Sequence, residues 1–435
     1  MFSMPCKLKK FLVFDSWGVI VFCNPENGFI FRASDIFLDF ITFCEKFNYD
    51  VIVAELRNKY PEQLIAKFFK NFDTNKDFLL FDEANKKNID SLYNESYKVL
   101  TLNLVHGCNL RCKYCFEELD FRMSSGIMTE DIALLATKSF ISQLRDDVGQ
   151  IIFTGGEPLL NFSIIKKIVS YVQTKNAEIS YLIKTNGTLI NKDILNFIVE
   201  NKIKIQISID GIRDSNDLNR VYPNNKGTFE DVMPVVYDFI ENNYIHNVNL
   251  HGTVTHQTIQ YLHESFTYLK SLHKDLRVDF MPVMDTKEKI YALTREDYKI
   301  YLKDYVLNKN LNITKTGESS DKICGIGVSH ISVDTNGDVY PCYRLTGKQE
   351  YIMGNILLDG FNLNKIPQLS ELYDLLFSSE CGNCYAKSIC RNGCYADKLL
   401  AGENFNCDFN EKLVLDEVIK ESFSNINLLL SYSII

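Results

Sequence analysis

The chain lacks the features that would direct it to a membrane or to nucleic acid. Nowhere in its 435 residues do 18 apolar residues run together, and Met1–Lys10 contains no apolar stretch of signal-peptide length. Its acidic residues, which give a net charge of −9, are scattered rather than gathered in a tail. These absences predict a cytoplasmic protein that binds neither membrane nor nucleic acid.

Internal repeats of fixed period and low-complexity linkers are also missing. Hydrophobic residues make up 46% of the chain and aromatic residues 12%, which is enough to build well-packed cores. At about 100–200 residues per domain, a chain of this length is expected to contain two to four folded units.

Cysteine, in contrast, is abundant, with 13 in the chain. Disulfides seldom persist in a reducing compartment, so this number favours metal binding or catalysis. Ten of the cysteines form two groups, three within residues 108–115 and seven within residues 324–407. The other three, Cys6, Cys23 and Cys44, lie in or near apolar runs and are interpreted as buried structural thiols.

Hydrophobic patterning predicts three domains, with boundaries at residues 1–92, 93–312 and 313–435. The first contains three β-rich runs followed by helical runs, which predicts a small α+β domain. In the second, six apolar strands alternate with amphipathic helices, which predicts an α/β fold with a parallel sheet and chemistry at the carboxyl ends of its strands. Periodicity alone leaves a partial barrel and a doubly wound sheet open. The third is rich in cysteine and glycine, so metal clusters are expected to stabilise it.

The first cysteine group, Cys108, Cys112 and Cys115, follows directly on the first strand of the middle domain. An iron–sulfur cubane normally takes four thiolates, so three cysteines would leave one iron open to chelate another molecule. Structural zinc prefers four ligands and is often built from C-x2-C pairs. The spacing C-x3-C-x2-C therefore fits a zinc site poorly.

This C-x3-C-x-aromatic-C motif after a strand resembles the hallmark of the radical S-adenosylmethionine (SAM) superfamily. Thr154–Pro158, with the sequence TGGEP, follows the second strand and resembles the GGE motif of that family. The resemblance implies a partial (β/α)6 TIM barrel whose [4Fe–4S] cluster cleaves SAM to methionine and a 5′-deoxyadenosyl radical. That radical abstracts a hydrogen from the substrate, which makes the chain a radical SAM oxidoreductase.

The same resemblance assigns a set of residues to SAM, namely Tyr114, Gly155, Gly156, Glu157, Pro158, Asn186, Ser208, Asp210, Arg220 and Val254. Turn capping is the alternative role for Asn186 and Asp210, because these residue types are favoured in turns on local grounds. A surface salt bridge is the alternative for Arg220.

The second cysteine group resembles the SPASM extension, which holds two auxiliary [4Fe–4S] clusters, so three clusters are expected in total. A zinc-ribbon-like module is the alternative. The resemblance implies an outer cluster on Cys381, Cys384, Cys390 and Cys407, and an inner cluster on Cys324, Cys342 and Cys394. Sulfatase maturases place a further cysteine where this chain has Glu318. We therefore expect an open iron in the inner cluster, able to bind a substrate thiolate.

The N-terminal pattern of three strands and three helices resembles the winged-helix-like RiPP recognition element. Such domains bind a leader peptide as an added strand. A structural cap that binds nothing is the alternative.

The three parts together resemble SPASM-type peptide maturases. The expected reaction joins a cysteine sulfur to a carbon of a ribosomally made precursor peptide, with flavodoxin or ferredoxin as electron donor. Carbon–carbon crosslinking, sulfatase maturation and a non-catalytic peptide scaffold are the alternatives. Sulfatase maturases carry an aspartate where this chain has Tyr343, which disfavours that alternative. Neighbourhood in the sequence offers four residues as the catalytic base, Tyr343, His330, His251 and Glu318.

Overall fold

The computed structural model describes most of the middle of the chain and parts of both ends. The described residues are 12–16, 19–23, 30–44, 49–79, 97–115, 126–144, 148–175, 177–283, 290–301, 325–360 and 394–401. Several residues singled out from the sequence lie outside these ranges, namely Cys6, Glu318, Cys324, Cys381, Cys384, Cys390 and Cys407.

The N-terminal region contains an antiparallel three-stranded sheet followed by three helices, as the sequence pattern predicts. The strands are β1 (Leu12–Ser16), β2 (Val19–Cys23) and β3 (Ile30–Arg32), in the order β1-β2-β3. The helices are α1 (Asp35–Cys44), α2 (Tyr49–Lys59) and α3 (Glu62–Leu79). Their apolar faces form one core, in which the Phe40 ring lies 5.0 Å from the Phe72 ring, centroid to centroid. Cys44 packs against this core.

The middle region contains six parallel strands that alternate with helices. The strands are β4 (Val99–Asn103), β5 (Val148–Thr154), β6 (Glu178–Thr185), β7 (Lys204–Ser208), β8 (Val248–Val254) and β9 (Arg277–Pro282). The helices are α4 (Glu130–Gln143), α5 (Phe162–Gln173), α6 (Lys192–Glu200), α7 (Arg213–Asn219), α8 (Phe229–Glu241), α9 (Leu262–Ser271) and α10 (Arg295–Ile300).

Strand order decides between the two architectures that periodicity left open. Each of the six strands pairs in parallel with the next in sequence, in the order β4-β5-β6-β7-β8-β9. A doubly wound sheet would reverse its order at a switch point, whereas a barrel advances in one direction. The middle region is therefore a partial six-stranded barrel.

The C-terminal region extends this sheet. Its elements are β10 (His330–Val333), β11 (Asp338–Tyr340), β12 (Gly354–Asn355), α11 (Ile356–Asp359) and α12 (Tyr395–Ala401). Strand β10 pairs in parallel with β4, and β11 and β12 follow as antiparallel strands, so the sheet has nine strands. The buried side chains of this region belong to the same core as those of the barrel.

Alternation along the strands separates two faces. On β6, Tyr181 and Ile183 are buried against the helix layer, whereas Leu182 and Lys184 lie on the opposite, inner face. The inner faces of the neighbouring strands carry polar residues such as Gln206 and His251. A polar lumen is thus enclosed by an apolar outer layer. None of the described helices is long and apolar enough to cross a membrane.

Candidate active site

The first three cysteines lie in the loop that follows β4, at the carboxyl end of the sheet. All three thiols are partly buried, and the sulfurs of Cys108 and Cys112 face N–H donors. The Cys108 sulfur accepts from the Leu110 backbone N–H at 3.4 Å and from Asn186 Nδ2 at 3.8 Å. Arg220 Nη1 lies 4.0 Å from the Cys112 sulfur. These donors would stabilise negative charge on sulfur.

The electrostatics of the site disfavour thiolates unless a cation is bound. Burial, together with the negative charges of Glu157, Cys112 and Cys115, raises the pKa of the Cys108 thiol to about 12. Metal binding requires thiolates, and three mutually repelling thiolates are stable only when positive charge offsets them. Iron in a cluster would supply that charge.

The geometry of the loop suits a cluster better than a single ion. Among the described residues, no three His, Cys, Asp or Glu side chains converge on one metal-ion position. An iron–sulfur cubane binds each cysteine at a different iron, so its ligands stand farther apart than those of one ion. The donor set of three thiols therefore fits a [4Fe–4S] cluster with one open iron.

The TGGEP turn packs directly on the cysteine loop. The Gly156 N–H donates to the Val105 carbonyl at 2.8 Å, and the Glu157 N–H donates to the Gly107 carbonyl at 3.0 Å. A Cβ at residue 156 would lie 2.3 Å from the Gly107 carbonyl oxygen, so only glycine allows this approach. Residue 155 has φ +138°, a conformation that also favours glycine.

Glu157 is completely buried and joins the ends of β5 and β6. Its Oε1 accepts from the Leu159 N–H at 3.0 Å and the Thr185 hydroxyl at 2.7 Å, and its Oε2 accepts from the Asn186 N–H at 2.8 Å. Burial raises the pKa of this carboxyl to about 7, although the three donors oppose the shift. The next residue, Pro158, is buried and begins the short helical turn Pro158–Asn161.

Asp210 anchors a second network beside the cysteines. Its Oδ2 accepts from the Tyr114 hydroxyl at 2.6 Å, and its Oδ1 accepts from Arg220 Nε at 2.9 Å and the Thr253 N–H at 2.8 Å. The Arg220 guanidinium also lies over the Tyr114 ring, 5.6 Å from its centroid. The network connects the cysteine loop to the ends of β7 and β8.

These contacts test the local alternatives considered for three residues. The surface salt bridge for Arg220 is wrong, because Arg220 is 7% exposed and its ion pair is buried. Asp210 binds groups far from it in sequence rather than capping its own turn. Asn186 caps its own turn, since its Oδ1 accepts from the Thr188 N–H, and it also binds a distant group, since its Nδ2 donates to Asn109. The other two residues assigned to SAM, Ser208 and Val254, are the last residues of β7 and β8, at the same rim, the carboxyl edge of the sheet.

Sequence reasoning missed a buried histidine–aspartate pair behind the cysteine loop. His106 Nε2 lies 2.7 Å from Asp334 Oδ1, which also accepts from Asn103 Nδ2 at 3.0 Å. Thr335 adds a contact to the same ring nitrogen. The two partners are 228 positions apart, so no local signal links them.

Two of the seven later cysteines are described. Cys342 precedes the turn Tyr343–Leu345, Cys394 precedes α12, and both pack partly buried against the main core. Of the four residues named as a possible base, Tyr343, His330 and His251 are described. Burial lowers the pKa of both histidines, and the Lys184 charge adds to the shift.

Two protein families match the sequence. The radical SAM superfamily matches residues 102–269, and the SPASM iron–sulfur cluster-binding domain matches residues 324–395. These ranges contain all three cysteines of the first group and six of the seven in the second.

Three curated proteins illustrate the relationship. A Methanocaldococcus jannaschii protein without an assigned function is 33% identical over 293 residues, which cover 64% of this chain and 94% of that protein. A cysteine-type anaerobic sulfatase-maturating enzyme of Clostridium novyi is 27% identical, and the match covers 67% of this chain and 86% of that enzyme. The antilisterial bacteriocin subtilosin biosynthesis protein AlbA of Bacillus subtilis is 24% identical, and the match covers 67% of this chain and 68% of AlbA.

Solved structures share the fold. Native anSMEcpe with bound AdoMet aligns with a TM-score of 0.61 at 25% identity, over 77% of this chain and 99% of that one. Streptococcus suis SuiB bound to S-adenosylmethionine aligns with a TM-score of 0.52 at 14% identity, over 90% and 95%.

The cysteine loop, the glycine turn and the one-directional barrel thus agree with the sequence relationships. The chain belongs to the radical SAM superfamily, as an enzyme that uses SAM and iron–sulfur clusters and carries a SPASM domain.

Proposed function

We propose that the protein is a radical SAM peptide maturase that joins a cysteine sulfur to a carbon of a ribosomally made precursor peptide. The observation that carries the proposal is the packing of the three-cysteine loop against the glycine turn, above a polar lumen. The bound cluster and SAM supply a 5′-deoxyadenosyl radical there. The residues of the chain bind the reactants, orient them and exclude water.

Eight of the ten residues assigned to SAM have a distinct proposed part. The backbone at Gly155 and Gly156 lies against the cysteine loop and is suited to hold the amino group of SAM. Tyr114 and Val254 line the position proposed for adenine, and Asn186 and Ser208 lie on the rim between them. Asp210 accepts from protein groups on both carboxylate oxygens and is paired with Arg220, so the main part proposed for these two residues is to hold Tyr114 and the cysteine loop in place.

The seven later cysteines are proposed to hold two auxiliary [4Fe–4S] clusters, which gives three clusters in total. The burial of Cys342 and Cys394 against the main core supports a site close to the barrel. Glu318 replaces the additional cysteine of sulfatase maturases. On that basis we assign the open iron of the inner cluster to a substrate thiolate. A low-potential flavodoxin or ferredoxin is the proposed electron donor.

The N-terminal domain is proposed to bind the leader of the precursor. Its small antiparallel sheet has edge strands at β1 and β3, to which an extended peptide can add by backbone hydrogen bonds. The likeness to SuiB, which extends over 90% of this chain, supports a common domain arrangement.

Sulfatase maturation is the second proposed function. The sequence relationship to the Clostridium novyi enzyme over 86% of its length favours it. Tyr343, at the position where that subfamily carries an aspartate, disfavours it. Carbon–carbon crosslinking is a variant of the first proposal.

An assay on anaerobically reconstituted enzyme tests these proposals. Reduced wild-type enzyme should form 5′-deoxyadenosine from SAM, and Cys112→Ala should not. A cysteine-rich peptide encoded beside the gene should lose two hydrogens per crosslink, as measured by mass spectrometry. Fragmentation then distinguishes a sulfur–carbon from a carbon–carbon bond. If the enzyme oxidised the cysteine of a sulfatase peptide and left the peptide encoded beside its gene unchanged, the result would support the second function and contradict the first.

A further inference from the structure

Lys184 occupies an unusual position, on the inner face of a central barrel strand. It is the residue before the last on β6, and its Cα partner on β7 is Gln206. Its neighbour Ile183 is fully buried on the opposite face, against the helix layer. Strand alternation therefore directs the Lys184 side chain into the lumen, one residue before the Thr185–Asn186 contact with Glu157.

The lysine reaches across the lumen to the C-terminal region. Its Nζ lies 4.7 Å from the centroid of the Tyr343 ring, and Tyr343 directly follows Cys342. A cation over an aromatic ring is attracted to the ring face, but that contact satisfies few of the three ammonium donors. The remaining donors are available to a ligand between the barrel and the cysteine-rich region.

Among the residues that the structure describes, no carboxylate pairs with Lys184. In the described part of the chain, Lys184 forms no salt bridge, whereas nearby Arg220 is paired with Asp210. His251 adds no further positive charge at neutral pH, because burial, together with the charges of Arg220 and Lys184, lowers its pKa to about 4. A half-buried ammonium without a counter-charge is unfavourable, and an anionic ligand would offset that cost.

Two more lumen groups have no hydrogen-bond partner in the described part of the chain. Asn249, the Cα partner of Gln206, has a buried side-chain oxygen that accepts no hydrogen bond from the described residues. Ser332 on β10 is fully buried, between Ile331 and Val333 of the core, and its hydroxyl likewise forms no hydrogen bond with any described residue. Buried polar atoms are normally satisfied, so these orphans mark a lumen built for a polar ligand.

We propose that Lys184 binds a carboxylate of the substrate inside the lumen. This inference rests on the proposed peptide-maturase function and adds to it a substrate class, namely peptides whose modified segment carries an acidic group. The carboxylate comes either from an Asp or Glu side chain or from the peptide C-terminus. The tyrosine at 343 holds the ammonium toward the C-terminal region, where the substrate thiol is proposed to bind.

Binding of defined peptide pools tests the inference. Binding of four fluorescein-labelled decapeptide pools to the holoenzyme with SAM is compared. Each pool is a mixture of Gly, Ala, Ser and Cys around one fixed central residue. The central residue is Asp or Asn, and each version is made with an amidated or a free C-terminus. Charge-assisted hydrogen bonds are stronger than those between neutral groups. The wild-type enzyme should therefore bind an Asp pool about tenfold more tightly than the matching Asn pool. If the terminal carboxylate is the ligand, the preference follows the free C-terminus instead.

Variants assign the preference to the lysine. Lys184→Gln should abolish it, and Lys184→Arg should retain it. Lys175→Gln is the matched control, because Lys175 Nζ lies at the same 4.7 Å from a tyrosine ring, that of Tyr171, but on the outer helix layer. This control should bind all pools as wild type does.

The outcomes separate this inference from the function on which it rests. Equal binding of all four pools by wild type, or an acidic preference that survives in Lys184→Gln, overturns the role of Lys184 and leaves peptide binding intact. No binding of any pool by an enzyme that still forms 5′-deoxyadenosine overturns the peptide function and the inference together.

Discussion

At the scale of single residues, two buried networks hold the cysteine loop. Glu157 connects the ends of β5 and β6, and Asp210 connects Tyr114, Arg220 and the end of β8. Both carboxylates use their oxygens on protein donors. The shape of the loop therefore depends on side chains that lie far from it in sequence.

Asp210→Asn should destabilise the protein and weaken SAM binding. The substitution keeps the size of the side chain but leaves the Arg220 charge buried and unpaired, which typically costs about 3–5 kcal/mol. Chemical unfolding and SAM titration measure the two effects. Glu230→Gln is the control, because its pair with Arg213 is exposed and should contribute little. Equal stability of Asp210→Asn and wild type would contradict the prediction.

His251 should give the stability a pH dependence. Its folded pKa of about 4 lies below the ordinary 6.5, so between these values the unfolded chain binds a proton that the folded chain does not. The free energy of unfolding should therefore rise by roughly 2 kcal/mol from pH 5 to pH 7 through this residue. Urea unfolding of His251→Asn should lack that increment, while the exposed His246→Asn should retain it.

At the scale of elements, the close approach of the glycine turn to the cysteine loop is the critical contact. It brings the start of the second βα unit against the loop of the first, with backbone atoms in direct contact. A side chain at this point has no room, because the obstructing atoms are the carbonyls of residues 106 and 107.

Gly156→Ala should selectively lose the SAM-binding cluster. The new Cβ would displace the turn from the loop that holds the three cysteines, whereas the later cysteines lie elsewhere in the chain. Iron analysis should show the loss of one cluster per chain, with 5′-deoxyadenosine formation abolished. Gly107→Ala is the control, since among the described atoms a Cβ there meets only Val105 Cγ2, at 3.7 Å. If both variants kept full iron, the steric argument would fail.

At the scale of the whole molecule, the described residues form two main cores. The core of α1, α2 and α3 shares no residue with the core of the nine-stranded sheet. The C-terminal region, in contrast, belongs to the barrel core through β10. Leader binding, which is proposed for the N-terminal domain, and radical formation are thus expected to respond differently to core substitutions.

Phe40→Ala tests this separation. Phe40 is 1% exposed among aromatic neighbours, and truncation of a buried Phe costs about 3–5 kcal/mol. Precursor crosslinking should fall sharply, while 5′-deoxyadenosine formation without peptide should remain near wild type. Phe239→Ala, in the barrel core, should reduce both activities. A parallel loss of both activities in Phe40→Ala would contradict the independence of the two cores.

The sequence by itself determined the features that short spacings encode. Cysteine spacing predicts the cluster loop, and the alternation of strands and helices predicts parallel βα units, because both patterns lie within a few residues or turns. The glycine turn and its neighbour Glu157 were recognisable for the same reason.

Only the tertiary structure decided the contacts between distant segments. Strand order resolved the barrel, β10 joined β4, and Arg220 proved to be buried rather than at the surface. The pairs His106–Asp334 and Lys184–Tyr343 have no local signature. The physical reason is that periodicity records which face of an element is buried, whereas the partner across the lumen depends on how the elements close into a barrel.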